Sequence, residues 1–165
     1  MMNLEPPMAP SGLRDFATND AEQPQPNRPI IRFGLCCQNC GHEYFSLQEV
    51  LAGEYGVGGI EATCDNCGRV GSVFHASRDG YDGSLGHLLF LEAVSGRQPL
   101  KDDDQREIGN TQVAAGFCYS IELNELAAIA EEEHLAPQDL FDWVVVYARN
   151  SDQNAWREVW EYECA

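Results

Sequence analysis

Two short stretches constrain this chain more than any others: CQNCG at Cys37–Gly41 and CDNCG at Cys64–Gly68, with 23 residues between Cys40 and Cys64. A C-x-x-C turn directs two thiols toward one point, and two such turns complete a tetrahedral all-sulfur shell around a single ion. The glycine directly after each second cysteine sharpens the pattern. Glycine enters the positive-φ region that lets loop amides turn toward thiolate sulfur. Cys37, Cys40, Cys64 and Cys67 are therefore the expected metal ligands. Using Cys36 in place of Cys37 would make C-x3-C and lose the match to the second motif, so Cys36 is expected on the other side of its strand. His42 and His75 lie close by but are superfluous beside four thiols. Cys118 and Cys164 sit in strand-like runs and read as buried apolar residues.

With these motifs, residues 30 to 78 resemble the zinc-ribbon superfamily, in which two knuckles on β-hairpins clamp one zinc. The resemblance implies a structural Zn2+ on the four cysteines and implies no particular activity. The run CQNCGHEYF is also similar to the first knuckle of rubredoxins, which hold iron and carry electrons. The second knuckle departs from that family, since Asp65-Asn66 stands where a rubredoxin usually has proline. Iron is thus the alternative ion and electron transfer the alternative function.

The rest of the chain is acidic. The formal charge is −17, from 27 acidic and 10 basic residues. It is unevenly spread, at about −3 over residues 1–27, about −2 over 28–80 and about −12 over 81–165. Such a surface repels phosphate backbones and suits a protein partner with a basic surface. Direct nucleic-acid binding would need a local stripe of Arg28, Arg32, Arg69 and Arg78 beside Tyr44, Phe45 and Phe74. Paired thiols in a chain of seven cysteines suit a reducing compartment. Without a basic, apolar leader or a membrane-length apolar run, the expected location is cytoplasmic.

Composition divides the chain into three parts. Residues 1–28, rich in proline, read as a disordered tail, in which Leu13–Phe16 is a conceivable docking peptide. Residues 29–78 read as the zinc-ribbon module, with strands before and after each cysteine pair and a helical turn or two at Ser46–Leu51. Residues 79–165 read as an acidic α+β domain. It would begin at a turn over 79–84, followed by a buried helix over 85–94 and a polar loop over 97–112. A strand over 113–119, an amphipathic helix over 122–134 and a short helix from Pro137 come next. A strand at Val144–Tyr147 pairing with Trp156–Cys164 would close it as a hairpin, with Trp143 and Trp160 in the core. The expected fold class is α+β.

No catalytic constellation emerges. A four-cysteine shell leaves no open coordination position. The glycines of Gly56–Gly59 lack the rest of a phosphate or dinucleotide loop. Asp79, Asp82 and His87 read as turn and cap residues, Asp102–Asp104 as a solvated loop, and Glu131–Glu133 with His134 as a helix end. The expectation is a non-catalytic, zinc-binding protein-interaction module, with enzyme activity left open.

Overall fold

The computed structural model describes residues 8–19, 30–51, 56–76, 78–80, 95–120 and 123–164. Among them the chain is mostly β: nine strands join in one sheet, with one α-helix beside it. This corrects the α+β expectation. Its main cause is that stretches read as helical or as irregular loop are taken up by neighbouring strands. Ser46–Leu51, expected to coil, lies in β3 (Tyr44–Leu51), and part of the expected polar loop over 97–112 is β6 (Gly96–Pro99). The expected helix over 85–94 lies outside the described residues.

The other strands are β1 (Phe16–Thr18), β2 (Ile30–Cys37), β4 (Val57–Cys64), β5 (Val70–His75), β7 (Thr111–Cys118), β8 (Trp143–Arg149) and β9 (Arg157–Glu163). The α-helix among the described residues, α1, spans Leu123–Glu133, close to its expected bounds, and Pro137–Asp139 is a 3-10 turn with proline at its start. The C-terminal hairpin forms as expected, with Val146 opposite Trp160 and Trp143 opposite Glu163. Hydrogen bonding crosses the expected boundary near residue 78, because β2 and β3 both pair with β7.

That pairing has a particular geometry. Gln112 of β7 pairs with Arg149 on one edge and Tyr44 on the other; Ala114 pairs with Tyr147 on one edge and Gly34 on the other. β2 and β3 therefore lie end to end along one edge of β7, and residues 35–43 leave that edge between them as an excursion, whose first three residues pair with β1. The same logic holds along β3, whose edge opposite β4 is shared by β6 and then β7. Residues 100–110 form the excursion there, closed by the Lys101↔Glu107 bridge and by Ile108 N donating to Leu100 O at 2.8 Å.

The sheet curls into a nearly closed barrel. Phe74 of β5 meets Trp160 and Tyr162 of β9 at 6.0 and 5.1 Å between ring centres, with Phe141 also against it. Inside lie Phe33, Phe45, Leu47, Ile60, Val73, Phe117, Val144 and Val146. Continuous apolar runs such as Val144–Tyr147 arise because the outer face of β2, β7 and β8 is covered too. Ile30, Ala114, Val145 and Tyr147 form a second cluster there, under Trp143 and Trp156. Arg32 closes it, its guanidinium 5.3 Å from the Tyr147 ring and 5.4 Å from that of Trp156, with Arg149 at 4.3 Å on Trp156. Stacked cations of this kind cover aromatic faces, and Arg32 does so while itself buried.

Residues 8–19, read above as part of a disordered tail, form a strap. A 3-10 turn at Ser11–Leu13 leads into β1, and Leu13 and Phe16 are 2% and 7% exposed. Ser11 donates through N and Oγ to the Asp139 carboxylate, both at 2.7 Å, and the Asp15 carboxylate accepts from Ser72 N. Leu13–Phe16 is thus interior packing, with Phe16 edge-on to Phe45 at 5.8 Å.

Candidate metal centre

The excursion over 35–43 and the β4–β5 hairpin end side by side, each in a tight turn of the same form. In the first, Cys37 N donates to His42 O and Gly41 N to Cys37 O, both at 2.8 Å; in the second, Cys64 N donates to Arg69 O at 2.8 Å and Gly68 N to Cys64 O at 2.9 Å. Gly41 and Gly68 have φ of 75° and 76°, the region the sequence pattern required of them. The two knuckles are conformational copies. Their setting differs, since the second tips a regular hairpin while the first does not. The hairpin expected for both is absent from the first because β7 takes the edges of β2 and β3.

Cys37, Cys40, Cys64 and Cys67 come together so that their ligand atoms all lie within 4.8 Å of one another. Two close approaches run across the knuckles: Cys37 Sγ to Cys67 Sγ and Cys40 Sγ to Cys64 Sγ, each 3.5 Å. A tetrahedral shell with metal–sulfur bonds near 2.3 Å has sulfur–sulfur edges of about 3.8 Å. The cluster therefore fits one four-coordinate ion and could bind a metal such as zinc. Four soft thiolates suit zinc or iron and do not suit hard cations.

The electrostatics divide the four thiols into two kinds. Cys37 and Cys64 are buried where their strands end, and Cys40 and Cys67 are exposed at the turns. Burial pushes the Cys64 thiol up to about 11. Cys67 is lowered to about 6, first by the backbone amide of Arg69 and next by the side-chain amide of Asn39. Cys40 is lowered by the side-chain amide of Asn66 and then by the backbone of His42. Each knuckle's asparagine thus serves the exposed cysteine of the other knuckle. The repeated Asn of C-x-N-C-G was visible in the sequence, but its reach across the knuckles was not.

Cys36 points away from the cluster. It sits opposite Ala17 of β1, with its sulfur 3.9 Å from Asn19 Oδ1 and 3.8 Å from Glu43 Oε1. His42 packs near Tyr44, and His75 lies among Glu61, Arg78 and Asp79, where burial lowers its basicity. Asp79 accepts from His75 N at 2.9 Å and pairs with Arg78, a turn role, while Asp82 and His87 lie outside the described residues. Phe45 and Phe74 are core residues and Arg78 is engaged by Asp79, so these members of the proposed basic stripe do not form an open surface. Cys118 and Cys164 are half-buried, on the outer cluster and the inner core respectively.

A groove of about 600 Å³ runs beside the second knuckle, between the outer face of β3 and β4 and the excursion over 100–110. Ser46, Gln48, Thr63, Asp65, Glu107 and Asn110 supply its polar lining, and no lysine or arginine is among the lining residues. Asp65, inside the knuckle, accepts from Ser46 Oγ at 2.6 Å and from Asn110 N at 2.9 Å. One carboxylate thus ties the knuckle to both walls of the groove. Gly109 allows this closeness, since a Cβ there would lie 2.9 Å from Ser46 Oγ.

No family model, curated protein or solved structure matches the chain. The likeness to zinc ribbons extends to the four-thiol arrangement and identifies no family.

Proposed function

We propose that the chain is a non-catalytic docking module in which zinc on Cys37, Cys40, Cys64 and Cys67 holds two knuckles in place and the acidic surface receives a basic segment of a protein partner. The groove beside the second knuckle is the observation that carries this reading. It has room for an extended segment, has carboxylates at Asp65 and Glu107 with no cation among its lining, and shares Asp65 with the metal turn. Bound zinc would fix the turn that holds Asp65, and so the shape of the groove. Four thiolates fill the ion's coordination sphere, which favours a structural role. A colourless protein carrying one zinc per chain separates this ion from iron, whose four-thiolate form absorbs in the visible.

The test uses fluorescein-labelled octa-arginine as a probe, with octaglutamate as control. Screening shortens from about 14 to about 4 Å between 50 and 500 mM salt, so affinity for the basic probe is expected to fall steeply. Glu107→Gln should weaken binding about two- to fivefold with the thermal midpoint unchanged, as for an exposed charge. Amide shifts should concentrate at Thr63, Asp65 and Gly109. Salt-independent binding, or equal binding of octaglutamate, overturns the docking reading.

A further inference from the structure

We propose that the four-thiol centre is also an oxidation site, at which a peroxide joins the knuckles across one another as Cys37–Cys67 and Cys40–Cys64 disulfides and releases the metal. The inference rests on reading the cluster as a metal centre, and its geometry comes from the placement of the sulfurs. Each cross pair stands at 3.5 Å, and each contains one exposed cysteine and one buried cysteine. Side-chain rotation alone must bring such a pair to the roughly 2.0 Å of a disulfide.

The exposed sulfurs of Cys67 and Cys40 meet peroxide first. One peroxide oxygen transfers to sulfur, the O–O bond breaks and the other oxygen leaves as water, forming a sulfenic acid. The buried partner, Cys37 or Cys64, then attacks that sulfur. The S–S bond forms, the S–O bond breaks and a second water leaves. For the whole centre, four thiolates, four protons and two peroxides yield two disulfides, four waters and the free divalent ion. Each disulfide gives two electrons to one peroxide. The remaining thiols stand apart from this chemistry: Cys36 turns toward Asn19 and Glu43, and Cys118 and Cys164 lie on opposite sides of the sheet.

Cross-linking of this kind has a structural result that pairing within each knuckle would lack. The two turns remain clamped after the metal leaves, and Asp65 keeps its place at the groove wall. Oxidation would replace a metal-held end of the barrel with a covalently held one, and the oxidised protein should melt above the reduced metal-free form.

Zinc-loaded protein is treated with hydrogen peroxide while a chromogenic chelator reads zinc release. The remaining thiols are then alkylated and the denatured chain is cut with a Glu-specific protease. Trypsin is unsuitable because no Lys or Arg lies between Arg32 and Arg69. Two peroxides consumed per zinc released are expected. The peptide carrying Cys37 and Cys40 should be linked to the one carrying Cys64 and Cys67, with Cys36, Cys118 and Cys164 alkylated. Separate peptides with internal Cys37–Cys40 and Cys64–Cys67 bonds overturn the proposal, as does zinc loss through sulfinic acids without cross-links. Metal content measured before oxidation tests the metal centre separately. If the protein takes up no metal, that reading fails, and the same peptide map on metal-free protein still decides the disulfides.

Discussion

At the scale of single residues, glycine occurs here for two different reasons. Gly41 and Gly68 have positive φ and nothing within 4 Å of the position a Cβ would take, so their requirement is conformational. Gly116 has an ordinary backbone, but a Cβ would lie 2.6 Å from Ile30 Cγ2 and 2.8 Å from Tyr147 Cε2. Gly68→Ala should therefore lower stability by about 1–2 kcal/mol through backbone strain alone. Gly116→Ala should cost more, at about 2–3 kcal/mol, because the Tyr147 ring must leave its seat under Arg32. Denaturant titration of the metal-loaded variants measures both, and equal costs would contradict the distinction. The first requirement was legible in the sequence, since Gly41 and Gly68 each follow a second cysteine. The second was not, because it depends on Tyr147, brought near only by strand pairing. The four-cysteine cluster was legible for the same reason as the knuckle glycines: a C-x-x-C turn is local chemistry. Asp65 as the link to the groove depends on Ser46 and Asn110, from two other segments.

Among the elements, β3 and the strap show where local signals were overruled. SLQEVL has fair helical propensity and a serine suited to an N-cap, yet both edges of this segment are hydrogen-bonded, one to β4 and the other to β6 and, at Leu47, to Leu100 and Ile108. Such pairing outweighs helical propensities worth only tenths of a kcal/mol per residue. Proline-rich composition likewise concealed the strap. Its order comes from two buried side chains, Leu13 and Phe16, and from carboxylate grips on backbone in both directions, Asp139 accepting from Ser11 N and the strap's own Asp15 accepting from Ser72 N. Asp139 is the most accessible of these grips. Asp139→Ala should remove both bonds to Ser11, cost about 1–2 kcal/mol locally and speed tryptic cleavage after Arg14 about five- to thirtyfold. Unchanged cleavage would show that Leu13 and Phe16 hold the strap unaided. The elements read correctly, among them β2, β4, β5, β7, α1 and the C-terminal hairpin, are those whose periodicity and turn residues lie within one continuous stretch.

For the molecule as a whole, the informative feature is the route of the chain around β7. A zinc ribbon that stood alone would carry both knuckles on its own hairpins. Here the flanks of the first knuckle are hydrogen-bonded to residues 111–118, and its excursion is backed by β1. A fragment of residues 29–78 should therefore remain without fixed structure even with a molar equivalent of zinc. A poorly dispersed amide spectrum is the expected readout, and a dispersed one would mean that four thiolates suffice to order those strands. The mostly β architecture could not be read from segment patterns, since each segment's partners lie far along the chain.

This route also orders events during synthesis. As the polypeptide emerges from the ribosome, the second knuckle can close on its own hairpin as soon as β5 has cleared the exit tunnel. The first must wait for some forty further residues to appear, by the distance from β5 to β7 in the chain. Until then the nascent chain would present one closed thiol pair and one open pair, only half of a four-sulfur cage. A metal held by all four thiols would be captured tightly only once the edge that seats the first knuckle exists. In such a chain the ion would lock last, after the two halves of the translation product have met.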